Sequence, residues 1–285
     1  MKKCLVIGGS GFLGKNLCQA LLKKGFKVTV IDKKKINLKK IKFVKLYTKN
    51  INSIEPYFKK TDFVFHLAGI SSLNEALSKP IQTVNENILA TVKLLNLSVK
   101  YNIKRFIYSS SIYTISEQGG FYRVSKSACE NYIMEYQKRY GLNYTILRYG
   151  SLYGQNATNE NTIRQIISNY KKTKKIIYNG NKKNIRNYIN VEDASKATIE
   201  TLSSKYKNKI VLIKGPKNIK VSSLMGIIKR KLNSDSKIIF KKNNTDIGHY
   251  IKLPQKVIVK KGQELRLKKY ISIDEGIKKI IKSNS

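Results

Sequence analysis

The sequence predicts an α/β protein with a doubly wound parallel sheet and a smaller α/β lobe at its C-terminal end. Strand and helix patterns alternate through the first half of the chain, a glycine-rich turn follows the first predicted strand, and the alternation weakens after Gly154. We therefore expect a first domain over residues 1–154 and a smaller lobe over residues 155–285. Segments around residues 176–214 are expected to return to the main sheet.

Alternating elements fill the predicted first domain. Short apolar runs predict six strands, at Lys3–Ile7, Lys27–Ile31, Phe43–Leu46, Asp62–Leu67, Arg105–Ser109 and Tyr144–Arg148. Apolar residues at helical spacing predict helices from Phe12 to a stop at Gly25, over Asn87–Tyr101 and over Gly120–Tyr140. Six strands with covering helices fit a doubly wound sheet.

The second half of the chain mixes shorter elements. Helices are predicted over Thr162–Tyr170, Glu192–Leu202, Ser222–Leu232 and Asp274–Lys282. Short strands are predicted at Ile176–Tyr178, Tyr188–Asn190 and Ile210–Ile213. This part of the sequence contains no internal repeat and no low-complexity linker, so we expect it to form the smaller lobe.

The composition is that of a globular protein with an unusual charge. Of the 285 residues 41% are hydrophobic, and the formal net charge is +40. Eight of the 57 basic residues are arginine, and the 49 lysines are spread over every segment, as an AT-rich genome would produce. Nucleic-acid sites concentrate arginine with aromatic residues, so we expect no nucleic-acid partner. The charge is suited to attracting an anionic substrate such as a nucleotide diphosphate.

Cysteine usage and hydropathy indicate a cytoplasmic protein. Cys4, Cys18 and Cys129 are odd in number and widely spaced, which is typical of reduced structural thiols. They show no metal-ligand spacing, and we expect no metal. No apolar run approaches the roughly 20 residues needed to span a bilayer, so we expect no membrane partner.

Gly8, Gly11 and Gly14 lie on the turn between the first predicted strand and the first predicted helix. In such a turn one glycine makes the bend, a second lets the backbone approach a pyrophosphate, and a third allows close helix–strand packing. The free N–H groups at the helix N-terminus favour the negative charge of that pyrophosphate. The turn therefore predicts a Rossmann-type dinucleotide-binding domain, with a simple tight turn as the alternative.

Asp32 ends the second predicted strand. A carboxylate there would hydrogen-bond the adenosine ribose hydroxyls of NAD and would repel the 2′-phosphate of NADP. Lys33, Lys34 and Lys35 follow directly, and a cation among them could accept that phosphate. We interpret the lysines as a solvated surface run and expect NAD, with NADP as the alternative.

Tyr122 and Lys126 are four residues apart on a predicted helix and share a face. A lysine ammonium about 5 Å from the phenol, at an effective dielectric of about 20, contributes roughly 3 kcal/mol, or about two pKa units. We therefore expect Lys126 to lower the pKa of Tyr122, so that the phenolate acts as a general base. Ser111 ends the preceding strand and is suited to hydrogen-bonding both the phenol and a substrate oxygen.

In these residues and in several further segments the chain resembles the extended short-chain dehydrogenase/reductase family, in particular its nucleotide-sugar epimerases and dehydratases. Nearly the whole chain takes part in the resemblance. The matching segments are Gly8–Gly14, His66-Leu67-Ala68-Gly69, Asn87-Ile88-Leu89-Ala90-Thr91, the set Ser111, Tyr122 and Lys126, Leu147–Gly154 and Arg186–Asp193.

The resemblance implies a set of site residues. Ser111, Tyr122 and Lys126 would be catalytic. The implied cofactor contacts are Gly8, Gly11, Phe12, Leu13, Gly14, Asp32, Asn50, Ile51, Leu67, Ala68, Gly69, Asn87, Tyr122, Lys126 and Tyr149. The implied substrate contacts are Ser71, Ser111, Tyr122, Ser151 and Arg186, with Arg186 on the substrate diphosphate.

Two departures from the family pattern bear on specificity. The stretch between Ser111 and Tyr122 is shorter than in typical epimerases, and that stretch normally helps to cover the sugar. Ile112-Tyr113 follows Ser111 where 4,6-dehydratases carry an Asp-Glu pair, so elimination of water is not expected. Gly248-His249-Tyr250 is either a substrate-side loop or a structural loop.

These observations together predict an NAD-dependent nucleotide-sugar epimerase that acts at C4 through a transient keto-sugar. The first alternative is an NAD(P)H-dependent reductase of a nucleotide-linked keto-sugar, and the second is a non-catalytic regulator that senses dinucleotide. The resemblance also implies a homodimer that pairs the helices over Asn87–Tyr101 and Gly120–Tyr140.

Overall fold

The computed structural model describes residues 1–46, 50–241 and 262–283, and these fold around an eight-stranded parallel sheet. The strands lie in the spatial order β13 (Gln263–Leu265), β10 (Lys209–Ile213), β6 (Tyr144–Tyr149), β5 (Arg105–Ser111), β4 (Phe63–His66), β1 (Lys3–Ile7), β2 (Lys27–Asp32) and β3 (Lys42–Lys45). The chain winds outward from β1 to β3 and then crosses back to β4, so the direction of winding reverses between β1 and β4. This confirms the predicted doubly wound α/β fold.

Helices cover the sheet and build the second lobe. In the described ranges they are α1 (Phe12–Lys23), α2 (Ile51–Ile54), α3 (Leu73–Ser78), α4 (Pro80–Thr83), α5 (Ala90–Lys100), α6 (Gly120–Tyr140), α7 (Thr162–Thr173), α8 (Val191–Glu200), α9 (Val221–Lys231) and α10 (Ile273–Ser283). Single 3₁₀ turns cover Glu55–Tyr57, Ile112–Ile115 and Ser204–Tyr206. No helix within those ranges has the length and apolar character needed to cross a membrane.

The helix expected over Asn87–Tyr101 begins earlier than predicted. A π-helical segment, Val84–Leu89, joins α4 to α5, so the helical path starts at Pro80. Proline suits the first turn of a helix because its missing N–H would have no partner there. The wider π turn changes which of the following residues face the core. The helical spacing of apolar residues is therefore interrupted at Val84–Leu89, and spacing alone did not predict the earlier start.

Alternate residues of the central strands point to opposite faces of the sheet, and both faces are buried. On one face Val6, Leu17 and Ala197 belong to the core that β1 forms with α1 and α8. On the other face Leu5 and Leu94 belong to the core that β1 forms with α5 and α6. A strand buried on both sides reads as a continuous apolar run, which is why Lys3–Ile7 could be predicted with its correct bounds.

The second lobe has its own small sheets. They pair β11 (Asn218–Lys220) with β9 (Ile185–Asn190), β9 with β7 (Ser151–Tyr153), and β12 (Ile238–Lys241) with β8 (Ile176–Asn179). Helices α7, α9 and α10 pack on a separate apolar core that contains Ile176, Met225 and Ile277. Of the segments expected to return to the main sheet, β10 pairs with β6, whereas β8 and β9 pair elsewhere. The domain division at residue 154 stays a prediction.

His66, at the end of β4, is a buried imidazole. Its side chain is 1% exposed, and Nε2 lies 2.9 Å from the Thr91 hydroxyl on α5. Burial, together with the positive charge of Lys126, lowers the pKa of His66 from 6.5 to about 3. The imidazole is therefore neutral in the folded protein at all but strongly acidic pH.

This depressed pKa makes stability depend on pH. In the unfolded chain His66 takes up a proton as the pH falls through 6.5, whereas the folded protein does not until about pH 3, so stability decreases on acidification across that window. We expect the His66 contribution to cost about 2 kcal/mol by about pH 5. Denaturant unfolding at both ends of the window should therefore show a smaller loss in His66→Gln than in the unchanged protein. Parallel curves for the two proteins would contradict the assignment.

Candidate active site

The predicted site residues gather where the strand order reverses, at the carboxyl ends of β1, β4 and β5. The glycine turn follows β1, the segment from Leu67 to Gly69 follows β4, and Ser111 ends β5. Parallel strands end at the same edge of the sheet, so residues far apart in sequence meet there. In open α/β sheets this crevice is the usual ligand-binding position.

The glycine turn is packed so closely that a side chain at Gly8 or at Gly14 would overlap backbone atoms. Gly8 has a φ of +87°, and a Cβ there would lie 2.5 Å from the Ala68 backbone nitrogen. A Cβ on Gly14 would overlap the carbonyl oxygen of Gly8. Gly11 faces open space apart from that same carbonyl, at 3.4 Å. Within the described residues no side chain caps the α1 N-terminus, so the turn fits the approach of a dinucleotide phosphate.

Asp32 is held rigidly beside this turn. One of its carboxylate oxygens accepts a hydrogen bond from the Ser10 amide (2.9 Å), and the other accepts one from the Lys34 amide (3.0 Å). The side chains of Lys33, Lys34 and Lys35 are exposed. Asn50 is exposed at the start of α2, with Ile51 next to it. Asp32 thus has a fixed orientation at the end of β2.

Asn87 holds the loop after β4 against α6. Its side-chain oxygen accepts from the Ile70 amide (2.7 Å), and its amide nitrogen donates to the Ile70 carbonyl (3.1 Å) and to the Ser125 hydroxyl (2.9 Å). A Cβ on Gly69 would lie 2.5 Å from the Asn87 oxygen, which explains the glycine. The side chain of Asn87 thus fixes this loop, and its predicted contact with the cofactor stays a prediction.

Ser111, Tyr122 and Lys126 are brought together as predicted. The Ser111 side chain lies beside the Tyr122 phenol and lowers its pKa. The Lys126 ammonium donates to the Ser109 carbonyl (2.8 Å) and lies 5.9 Å from the centre of the Tyr122 ring. Tyr122 is 9% exposed and Lys126 is 5% exposed. A phenol and an amine are therefore held side by side at the edge of the crevice.

The predicted lowering of the Tyr122 pKa is wrong. Burial raises the pKa of Tyr122, and the interaction with the Ser111 side chain offsets only part of that rise. Burial also lowers the pKa of Lys126 to about 8, against the opposite effect of Cys129 and Glu130. The error arises because the helical spacing gives the distance between the two groups but not the loss of water around them.

Tyr149 does not join this cluster. Its side chain belongs to the core under α1 and α8, and its hydroxyl lies 2.6 Å from the Thr198 hydroxyl. Burial raises its pKa well above the ordinary value. The phenol of Tyr149 is thus engaged on the face of the sheet opposite α6.

A polar cleft adjoins the cluster on the side of the second lobe. It is lined by Tyr113, Ser151, Leu152, Asn161, Thr162, Ile163, Tyr178, Asn179, Arg186 and Tyr188. The Tyr113 ring meets the Tyr122 ring edge-on, with 6.2 Å between centroids. Ser151 and Arg186 are therefore brought together, and Tyr113 connects them to Tyr122. Ser71 is exposed on the loop before α3, and Gly248-His249-Tyr250 lies outside the described residues.

Sequence reasoning missed the residues behind the cluster. Glu130 is 3% exposed and Arg148 is 1% exposed, and the two form a buried ion pair. Ser110 donates a hydrogen bond to Glu130 (2.5 Å). The available signal was the spacing of Glu130, which lies four residues after Lys126 and so shares its helix face.

Comparison with known proteins finds one family model. The model of the NAD dependent epimerase/dehydratase family matches residues 4–213. That range runs from β1 to the end of β10, so it contains both the glycine turn and the cluster on α6.

Individual relatives cover nearly the whole chain. A protein of Methanocaldococcus jannaschii described as a candidate UDP-glucose 4-epimerase is 28% identical, over 97% of this chain and 96% of its own. A UDP-N-acetyl-alpha-D-glucosaminuronate decarboxylase of Bacillus cytotoxicus is 27% identical, over 84% and 83%. The solved UDP-N-acetylglucosamine 4-epimerase of Methanobrevibacter ruminantium, in complex with UDP-N-acetylmuramic acid, is 25% identical with a TM-score of 0.84, over 99% and 98%.

Two helical glycines should respond oppositely to alanine. Gly14→Ala places a methyl group against the Gly8 carbonyl, and we expect it to destabilise the protein by about 3 kcal/mol. Gly226, in α9, has no atom within 4 Å of its Cβ position, so Gly226→Ala should stabilise by roughly 0.5–1 kcal/mol through helix propensity. Chemical denaturation measures both. Equal effects of the two changes would show that the turn is not packed as described.

Proposed function

The chain belongs to the NAD-dependent epimerase/dehydratase family, and from that premise we propose that it is an NAD-dependent epimerase that acts at C4 of a UDP-linked sugar. The observation that carries the proposal is the buried cluster of Ser111, Tyr122 and Lys126 beside the glycine turn. The names of the relatives support C4 chemistry, because both a candidate UDP-glucose 4-epimerase and a UDP-N-acetylglucosamine 4-epimerase match the chain over nearly its full length.

NAD would lie across the crevice between β1 and β4. The backbone of the glycine turn and the α1 N-terminus would bind the pyrophosphate, and Asp32 would accept hydrogen bonds from the adenosine ribose. Asn50 and Ile51 would border the adenine, and Leu67 to Gly69 would line the opposite wall. When bound, NAD supplies the acceptor and donor of the hydride that leaves the sugar carbon and returns to its other face.

Tyr122 would move the proton. Its Oη would take the proton of the sugar C4 hydroxyl as a keto-sugar forms, and would return that proton once the sugar has turned over. Ser111 would hydrogen-bond the same sugar oxygen and the phenolate. Because burial raises the pKa of Tyr122, the phenolate depends on positive charge close to it, and the ammonium of Lys126 supplies part of that charge.

Lys126 would also bind the nicotinamide ribose. Its ammonium donates one hydrogen bond to the Ser109 carbonyl and has two more hydrogens to donate. With a pKa of about 8, the amine is protonated at neutral pH. Arg186 in the polar cleft would bind the substrate diphosphate through its planar fork, and Ser151 would contact the sugar.

Dehydration is less well supported than epimerisation. Ile112-Tyr113 follows Ser111 on the 3₁₀ turn, and neither residue supplies a carboxyl group for the elimination of water. Epimerisation needs only the phenol, the serine and a cofactor that is regenerated in each cycle. A one-way reductase would use the same residues but would consume NAD(P)H.

Removal of one oxygen atom tests the assignment. Tyr122→Phe should lower kcat for the interconversion of UDP-galactose and UDP-glucose by about 10²–10⁴-fold, because the proton acceptor is lost. Tyr132→Phe, at an exposed position of the same helix, should leave kcat unchanged. Chromatography of the sugar nucleotides and absorbance of the cofactor measure the reaction. Full activity of Tyr122→Phe, or stoichiometric oxidation of NADH during turnover, would refute the epimerase mechanism.

We propose that two copies of the chain pair through the helices beside the site. Exposed apolar side chains form a continuous patch there, with Ile81 78%, Val84 50%, Phe121 48% and Val124 49% exposed. A shallow apolar groove runs between the two helical segments that carry them. A patch of this kind marks an interaction surface, and a second copy would cover it symmetrically.

The free, buried thiols of Cys4, Cys18 and Cys129 support a reducing, cytoplasmic compartment.

A charge in the apolar patch should separate the subunits. Ile81→Asp would bury two symmetry-related carboxylates, and we expect the dimer dissociation constant to rise at least about tenfold. Ile239→Asp, 38% exposed on the second lobe, serves as the control and should leave the association unchanged. Sedimentation velocity over a concentration series measures both. A monomeric unchanged protein, or an Ile81→Asp dimer as tight as the control, would rule out this surface.

A further inference from the structure

Helix α6 is fixed to β5 at three successive turns. Tyr122 and Lys126 make the first two contacts, as described above. One turn further along, the Ser110 hydroxyl donates a hydrogen bond to the Glu130 carboxylate (2.5 Å). The three contacts lie on one face of the helix, four residues apart. The third contact involves neither the phenol nor the amine, and the proposed chemistry does not use it.

The Glu130 carboxylate is held from a second strand as well. Arg148 on β6 donates from Nε to one carboxylate oxygen (2.9 Å) and from Nη2 to the other. Ser110 and Arg148 are paired residues in the parallel register of β5 and β6, so one carboxylate bridges two adjacent strands. The side chains of Arg148 and Glu130 are 0% and 4% exposed. A bidentate arginine–carboxylate pair of this kind forms only within a narrow range of distances and angles.

Stability alone is a poor explanation for such a pair. Two charges removed from water gain little over apolar residues of the same size, because desolvation offsets their attraction. Apolar contacts, in turn, tolerate small rotations of a helix, whereas the fork of Arg148 does not. The pair lies on the face of the sheet whose apolar core contains Tyr108, Cys129 and Ile146. Apolar packing would bring α6 against the sheet in any case, and the ion pair in addition fixes the rotation of the helix.

We propose that Glu130 and Arg148 are positioning residues that set the rotation of α6, and thereby the placement of Tyr122 and Lys126 against Ser111. The inference rests on the proposed function. It assigns a role in the reaction to two residues that lie away from the crevice and touch neither the substrate nor the cofactor.

Electrostatics adds support to this geometry. Burial lowers the pKa of Lys126 to about 8, and Cys129 and the negative charge of Glu130 oppose that fall. The titratable groups that face Lys126 are His66 on β4, Tyr108 on β5, and Tyr122, Cys129 and Glu130 on α6. Among them Glu130 is the carboxylate. Its loss would let Lys126 release its proton at a lower pH.

The test compares Glu130→Gln with a matched control on the same helix. In Glu130→Gln we expect kcat for UDP-galactose to fall about a hundredfold with little change in KM, since a small misplacement of catalytic groups has an effect of that size. The alkaline limb of the kcat–pH profile should move to lower pH. Glu135→Gln removes an exposed carboxylate that pairs with Arg139 (2.7 Å), and it should change neither quantity.

A double variant separates positioning from stability. Glu130→Met with Arg148→Met replaces both charges by apolar side chains, and its melting temperature should return to at least that of the unchanged protein. Its kcat should stay low. Recovery of kcat together with the melting temperature would overturn the proposal, because the pair would then act through stability alone. Unchanged kcat and an unchanged pH profile in Glu130→Gln would overturn it as well.

Calorimetric binding of NAD gives a readout that does not depend on turnover. If α6 positions Lys126 for the nicotinamide ribose, the dissociation constant of NAD should rise about tenfold in Glu130→Gln and in the double variant, and should not change in Glu135→Gln. An unchanged protein that binds NAD but converts no UDP-sugar would refute the proposed function. The NAD dissociation constants would still test the role of Glu130 and Arg148 in that case. Equal NAD affinity in the unchanged protein and the three variants would overturn the positioning proposal.

Discussion

The burial of a charged amine beside a phenol is the constraint on which the rest of the site depends. An ammonium taken out of water is stable only if it is hydrogen-bonded and close to opposite charge. Lys126 meets that condition through the Ser109 carbonyl at 2.8 Å and through the Glu130 carboxylate one turn away. The Ser109 carbonyl requires α6 to lie against the end of β5 in one register, and in that register Ser110 of β5 also meets Glu130. The packing that fixes the position of α6 therefore also places the amine and the phenol of the site.

The cofactor side of the crevice is tied to the same helix by a continuous series of contacts. Gly8 packs against the backbone of Ala68, and the next residue in that loop, Gly69, leaves room for the side chain of Asn87. Asn87 in turn donates a hydrogen bond to Ser125 on α6. The turn that would bind the phosphates and the helix that carries the phenol are thus positioned relative to each other through five residues. A methyl group at either glycine would disturb both.

Local patterns predicted much of this arrangement, and their failures have a common cause. The bounds of β1 and α6 follow from an apolar run and from helical spacing, which are properties of short segments. The raised pKa of Tyr122 was missed because it comes from burial by residues distant in sequence. The hydrogen bonds of Asn87 to Ile70 and Ser125 were missed because a sequence does not show what its amide would meet. The pairing of Glu130 with Arg148 was missed for the same reason.

The sequence by itself determined the class of fold, the glycine turn, the carboxylate at the end of β2 and the shared face of Tyr122 and Lys126. Each of these depends on backbone geometry over a few residues, so spacing alone specifies it. Tertiary structure decided which of these groups lie in water, which are engaged inside the protein and which buried charges are compensated. Those properties depend on the packing of β5, β6 and α6, because desolvation and hydrogen-bond pairing are set by neighbours in space. The Tyr122–Lys126 pair could thus be found from its spacing, but its electrostatic state could not.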